Sequence, residues 1–414
     1  MKKTAILIGA GQRGSGYANY VFANPEDYQI VGVAEPVFDR REAIRTKHNV
    51  PEENCLHTWE DVFTREKWAD CVFICTQDAM HYGPAMAAIE KGYDMLLEKP
   101  ISPSEQECLE IAEAAAKKGI KSVVCHVLRY TPLFQKVKQL LQDGAVGKIL
   151  TFVHNENVGD IHHAHSFTRG AWRKAAESCP MILAKSCHDM DIMQWLVDKE
   201  CISLSSYGAL SFFNGENKPP GSPPRCTDGC TEDCPYDTRK LYLPGKNQPG
   251  HSEWFRSAAC QKDQPTDAEV EQALKTGPYG RCVFACDNDV VDHQSVNMLF
   301  EDDITVLFSM SSLTSEITRT FKIMGTKGEL KVSSSDKFIT HVDFKTREKT
   351  QIPIEEAEGG HGGGDKGIMG AFHKYMCGEL EAADVSELSV SVKNHRLSFK
   401  AEESRVNGGV CITL

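Results

Sequence analysis

"TAILIGAGQRG", residues 4–14, sets four apolar residues directly before a G-x-G-x-x-G turn, and its reading decides the fold of the N-terminal part. An apolar strand running into such a turn, followed by a helix, is the dinucleotide fingerprint of a parallel α/β sheet. Gly9 permits the tight turn, Gly11 lets a pyrophosphate approach the backbone, and Gly14 lets helix and strand pack closely. Gln12 and Arg13 sit between the glycines, where the helix amides face the phosphates. The next strand pattern, "YQIVGVAEP", ends at Glu35, where a carboxylate accepts from the ribose hydroxyls and repels a 2'-phosphate. NAD is therefore expected over NADP, with Arg40 and Arg41 close behind to soften the preference.

Outward from this turn, "ADCVFICT", "YDMLLEKP" and "KSVVCHVL" continue the alternation of short apolar strands with amphipathic helices. This is the pattern of a parallel sheet covered on both faces, with ligands at the carboxyl ends of its strands. Ser102, Pro103 and Glu105 are read as cap, first residue and capping-box acid of the helix after "EKP". From about residue 149 longer β-type runs take over, "GKILTFVHNENV", "ISLSSYGALSFF", "SVNMLFEDDITVLFSMSS" and "RTFKIMGTKGELKVSSS". The expected architecture is α/β: an NAD(P)-binding Rossmann domain over 1–128, then an α/β domain over 129–414 with a large, mostly antiparallel open sheet. A helix over 182–197 packs on that sheet. The Pro, Gly and Cys-rich stretch at about 214–262 reads as an inserted loop, and the C-terminal helix as one that packs back on the first domain. Asp365 is read as the cap of the helix around "IMGAFHKYMCGEL".

The chain has 414 residues and a formal charge of −12, with no basic stripe for a phosphate backbone, so nucleic acid and anionic membranes are poor partners. No apolar run reaches the roughly 20 residues of a membrane span, and glycines break the first apolar run before a secretory signal forms. A cytoplasmic compartment with reduced cysteines is the economical expectation. Cys71, Cys75, Cys108 and Cys125 lie in apolar patterns and read as small hydrophobes. Cys226, Cys230 and Cys234 with a fourth cysteine offer enough thiolates for zinc, yet lack the tight C-x2-C knuckle. No metal is assigned, and zinc against free thiols stays open.

"LLEKP" ends a strand and places Glu98 and Lys99 where a nicotinamide ring would lie. A lysine there stabilises the alkoxide that develops as an alcohol carbon is oxidised. "GAGQRG", "EKP", "CHVLRYTP" on the sixth strand and "CHDMDIMQWL" in the second domain, taken together, resemble the glucose-fructose oxidoreductase / inositol dehydrogenase (Gfo/Idh/MocA) family over the whole chain. The resemblance implies NAD(P)-dependent chemistry on sugars or cyclitols and an open sheet that often mediates oligomers, here a homodimer or homotetramer. It implies that Lys99 contacts nicotinamide and substrate hydroxyl, that His188 is the general acid or base, and that Thr76 and His81 join the cofactor set.

The inositol dehydrogenase branch carries an aspartate four positions before that histidine, where this chain has Ala184. Lys185 beside it orients substrate hydroxyls, acts as a second cation or lowers the His188 pKa by like-charge repulsion, or else it points to solvent. On a helix, Lys185, His188 and Asp191 share a face, so Asp191 is a candidate to hold the imidazole. Tyr130 and, from "HHAHSFTRGAWRK", His165, Arg169, Trp172 and Arg173 resemble substrate-loop residues of sugar-modifying branches, with His165 and Arg169 preferred. Asp289, Asp292, His293 and His361 are further polar candidates, each singly more consistent with a structural role. Three functions follow: a sugar or cyclitol dehydrogenase, a glycosidase that oxidises its substrate transiently and eliminates, and a cofactor-binding regulator. A regulator has no use for Lys99 and His188.

Overall fold

In the computed structural model, residues 1–244, 252–357 and 359–414 are described. Strands β1 (Lys3–Ile8), β2 (Tyr28–Ala34), β3 (Cys55–Leu56), β4 (Cys71–Ile74), β5 (Asp94–Leu97) and β6 (Ser122–Val124) form one all-parallel sheet in the order β3-β2-β1-β4-β5-β6. The chain reverses its winding between β1 and β4, and ligands of such sheets lie at that switch point, outside the carboxyl ends. The strands are apolar through and through because helices cover both faces: Ile6, Phe73, Leu96 and Val123 are fully buried.

The second sheet runs in the order β14-β13-β12-β11-β7-β10-β9-β8-β15. Its members are β7 (Ile149–Asn157), β8 (Cys201–Ala209), β9 (His293–Phe300), β10 (Ile304–Ser311), β11 (Thr318–Gly325), β12 (Gly328–Ser333), β13 (Phe338–Asp343), β14 (Lys349–Pro353) and β15 (Ile412–Thr413). All pairings are antiparallel except β7 with β10. Strict alternation sets the faces: Val296, Met298 and Phe300 of β9 point in, while Ser295, Asn297 and Leu299 point out. The inner face packs against the helices Pro132–Gln142, Cys187–Val197 and Leu388–Val406. The last of these also seals the parallel sheet, where His395 Nε2 accepts from Ile101 N at 3.0 Å.

Four local expectations are corrected. The helix after "EKP" begins at Glu105 with Ser104 as its cap, whose hydroxyl accepts from Glu107 N, so Pro103 lies before the helix. Gly363, with φ +87°, caps the helix Gly364–Cys377, and Asp365 in its first turn turns its carboxylate to other partners. The helix expected over 182–197 is two pieces, Met181–Ala184 and Cys187–Val197, broken at Lys185 and Ser186. The expected loop at about 214–262 carries the helices Thr238–Tyr242 and Glu253–Cys260, and residues 245–251 of it fall outside the described residues.

At the first turn the glycines have separate reasons. Gly9 has φ +88°, and a Cβ there would meet Cys75 O at 2.6 Å; a Cβ on Gly14 would meet Gly9 O at 2.0 Å. Gly11 has open space where a Cβ would stand. Gly14→Ala is expected to push the helix off the turn and destabilise the chain by about 1–3 kcal/mol, with weaker NADH binding. Thermal melting and NADH fluorescence titration check this, and an unchanged melting temperature with unchanged affinity would contradict the packing argument.

Candidate active site

The carboxyl edge of the parallel sheet faces the second sheet's helices across a cleft of about 1560 Å³. That exceeds the ordinary range of a single small-ligand pocket and has room for a dinucleotide and a second ligand. The helix Gln12–Ala23 opens onto it with no side chain capping its first amides. Those free N–H groups, with the space beside Gly11, form a cradle suited to a pyrophosphate.

Glu98 is buried, and its carboxylate accepts from Arg13 Nε and Tyr17 Oη at 2.6 Å each and from Lys99 N at 3.0 Å. Burial pushes its pKa up, but the Arg13 charge and the Tyr17 hydrogen bond outweigh it and hold the carboxyl below its ordinary value. Arg13 also donates to Asp365 at 2.8 Å, which ties the glycine turn to the helix Gly364–Cys377. Lys99 follows Glu98 into the cleft and donates from Nζ to Ala184 O at 2.8 Å. Burial works against its charge, yet Cys187, Asp78 and Glu98 nearby keep its pKa above the usual lysine range. The break at Lys185 and Ser186 is what turns the helix toward this lysine.

His188 lines the same cleft, with its Nδ1 buried and without a hydrogen-bond partner. Burial, and then the Lys99 charge and the His126 ring 6.0 Å away, hold its pKa well below that of a free imidazole. It is therefore neutral at pH 7. Lys185 reaches the cleft as well, its Nζ 3.8 Å from Glu156 Oε1. The structure thus brings Lys99, Lys185 and His188 to one wall.

Asp191 does not hold His188. Its carboxylate takes a bidentate bond from Arg129 at 2.7 and 2.6 Å and a third from Asn394 Nδ2, all fully buried, and so fastens the helix to the strand-six loop.

The other expected site residues divide. Thr76 lines the cleft, as do Gln12, Trp172 and Arg173. Gln12 Oε1 accepts from Trp254 Nε1 at 2.8 Å. Trp172 donates from Nε1 to Asp78 at 2.9 Å, and Arg173 pairs with Asp287 at 2.9 Å. Glu35 is buried and spends its oxygens on Ala10 N and Val37 N at 2.7 and 2.9 Å, bracing the glycine turn from behind. Arg41 is also buried, on the Glu35 carbonyl.

His81 is fully buried, bridging Pro100 O at 2.7 Å and Thr76 O at 3.1 Å, so it shapes the loop rather than meeting a ligand. Tyr130 Oη bonds Ser386. His165 is corrected as a substrate contact: it is stacked on Phe255 at 4.1 Å, bonded to Tyr242 Oη at 2.6 Å, and pushed by burial down to about 3. Arg169 is likewise fully buried, donating to Arg281 O and Tyr236 O at 2.8 Å each. The apolar pattern around this segment hides the reason: Ala164–Arg169 winds as a π-helix that drives these side chains inward.

Asp292 accepts from three successive amides, Ser211 to Phe213, while Asp289 pairs with Lys174. His361 stands in the cleft 6.3 Å from the His188 ring and bonds Asp365 at 3.1 Å. Asp78, Glu156, Arg319 and Trp254 line or border the cleft without having been singled out. Glu156 had a legible signal: it shares the inward parity of Phe152 and His154 in β7, where an acid needs a partner.

Cys226, Cys230, Cys234 and Cys282 surround one small void behind Arg169. Among the described residues, no group of three or more His, Cys, Asp or Glu side chains is arranged to hold a metal ion. Among them also, no helix is long and apolar enough to cross a membrane.

Comparison with known proteins agrees with the geometry. The model of the oxidoreductase family's NAD-binding Rossmann fold matches residues 3–126, and that of its C-terminal alpha/beta domain matches 138–381. The chain belongs to the Gfo/Idh/MocA oxidoreductase family. Among its relatives, inositol 2-dehydrogenase 4 of Saccharopolyspora erythraea is 28% identical over 48% of this chain and 55% of its own. The 2,7-anhydro-N-acetylneuraminate hydratase of Mediterraneibacter gnavus is 26% identical over 46% of this chain and 48% of its own. These matches span about half of either relative's length.

An Azotobacter vinelandii inositol dehydrogenase homolog, solved with NADH and myo-inositol, superposes with a TM-score of 0.68 at 13% identity, covering 99% of this chain and 97% of its own. An oxidoreductase domain protein of Kribbella flavida gives 0.72 at 15%, covering 100% and 99%. The family places this chain among oxidoreductases with an NAD-binding Rossmann domain and a C-terminal alpha/beta domain, whose sheet is, as expected, mostly antiparallel.

Asp191→Ala would leave the Arg129 charge buried and unpaired, and is expected to cost about 3–5 kcal/mol of stability. Denaturant melts check this. A fully stable variant that lost turnover would show Asp191 to be catalytic instead.

Proposed function

We propose that this chain is an NAD-dependent oxidoreductase acting on a secondary alcohol of a sugar, cyclitol or sugar derivative. Residues 1–128 serve as the cofactor part and 129–414 as the substrate part. The observation that carries the reading is the convergence of Lys99, Lys185 and His188 on the cleft that opens from the glycine turn. When bound, NAD supplies an acceptor for the hydride of the alcohol carbon. The amides after Gly11 hold its phosphates, with Gln12 and Thr76 flanking them, while Glu35 and Arg13 keep the turn in shape.

The neutral His188 accepts the alcohol proton. The Lys99 ammonium, fixed by Ala184 O, stabilises the developing oxyanion. Trp172 offers its ring to the apolar face of the sugar and Arg173 a cation to its rim. The outer face of the second sheet exposes Tyr207, Leu299 and Leu307, which suits a second copy of the chain in a homodimer or homotetramer.

A redox-neutral glycosidase is the second reading. It is favoured by Lys185, a second cation where the dehydrogenase branch has an acid nearby, and by a cleft that extends past Trp254. In that reading the transiently oxidised sugar loses a neighbouring proton and its aglycone, adds water and recovers the hydride.

A panel of free sugars, cyclitols and aryl glycosides, followed by NADH absorbance and aglycone release in parallel, tests both. Net NADH formation identifies the dehydrogenase, and aglycone release at catalytic NAD identifies the glycosidase. Lys99→Ala is expected to retain NADH binding and lower kcat about 100-fold or more. Full turnover by that variant would overturn the assignment.

A further inference from the structure

Glu156 sits in β7 facing inward, and no expected catalytic role accounts for it. Its Oε2 accepts from Ser186 Oγ at 2.7 Å and its Oε1 from Arg319 at 2.7 Å. Lys185 Nζ stands 3.8 Å from the same Oε1. Ser186 and Lys185 are the two residues that break the helix, so one carboxylate fastens the break from below and faces the lysine that the break directs into the cleft.

Arg319 does not neutralise Glu156 alone. Its Nε donates to Asp189 at 2.7 Å, and Asp189 also takes His154 Nε2 at 2.7 Å. Within this cluster two carboxylates thus share one guanidinium, and Lys185 is the remaining cation within ion-pair reach of Glu156. We infer that Glu156 is the positioning residue of Lys185: it aims the ammonium at the substrate and supplies its counter-charge, in the region where Ala184 replaces a carboxylate. The inference rests on the reading of the cleft as the catalytic site and adds the group that governs its second cation.

The electrostatics agree. Burial and Asp189 raise the Glu156 carboxyl to about 7, against the pull of Arg319 and Lys185. Burial, Arg319 and Lys99 lower the Lys185 amine, while Glu156 and Asp189 oppose the loss of its charge. His188 and His162, the other titratable groups at this wall, are both held neutral by burial and nearby cations. Removing the Glu156 charge therefore lowers the Lys185 pKa further. A shift of about one pH unit or more is expected for loss of an opposite charge at this range.

The test needs no substrate, so its failure is separate from a failure of the proposed activity. The full chain is labelled with trace acetic anhydride from neutral to alkaline pH, and the Lys185 peptide is followed by mass spectrometry beside that of the exposed Lys345. In the unmutated chain Lys185 is expected to gain reactivity at lower pH than Lys345. In Glu156→Gln its midpoint moves down again by about one unit or more, and in Glu156→Asp it stays near the unmutated value. A midpoint unchanged by Glu156→Gln, in a variant that melts normally, overturns the inference. Should Glu156→Gln not fold, Glu156→Ala, which removes the same charge, is labelled in its place: a Lys185 midpoint lowered by about one unit or more supports the inference, and an unchanged one overturns it.

Discussion

Glu98 directly follows β5 with its carboxylate buried between Arg13 and Tyr17, both from the helix that follows the glycine turn, while its backbone leads straight into Lys99. A buried carboxylate without those donors would be costly, so Arg13 must stay where Glu98 needs it. Arg13 in turn holds Asp365 of the helix Gly364–Cys377. One ionic cluster therefore fixes the glycine turn, the helix Gly364–Cys377 and the lysine that enters the cleft. It also explains why a motif acid next to the cleft lysine need not touch a ligand.

Beside Lys99 the decisive event is the break at Lys185 and Ser186. A continuous helix would have presented Lys185, His188 and Asp191 as a single stripe. The break separates them: Asp191 turns to Arg129 and Asn394, Ala184 O turns to Lys99, and Lys185 comes into reach of Glu156. The cleft thus carries two cations and one neutral imidazole, an arrangement able to stabilise an oxyanion.

Legibility in the sequence followed the range of the interactions. The parallel sheet, the three glycines and Lys99 are written in short contiguous patterns, and the alternation of β9 and β10 shows their faces directly. The assignment of His165 and Arg169 to substrate failed because a polar cluster reads the same whether it lines a cleft or is buried. What buries it is the packing of Phe255, Tyr242 and Tyr279, which lie far along the chain. Glu35 and His81 illustrate the same point: the residue types suit a ligand, but the nearest donors and acceptors are the chain's own backbone. The Glu156 pairing joins β7, β11 and the helix break, and no local pattern encodes that.

The central claim is that the glycine turn and the wall bearing Lys99 and His188 serve one bound dinucleotide. A crystal structure of the chain with NADH tests it most directly. The account predicts the pyrophosphate over Gly11 and the nicotinamide ring against Lys99, with its reactive face toward His188. A dinucleotide bound with its nicotinamide turned away from both residues would contradict it.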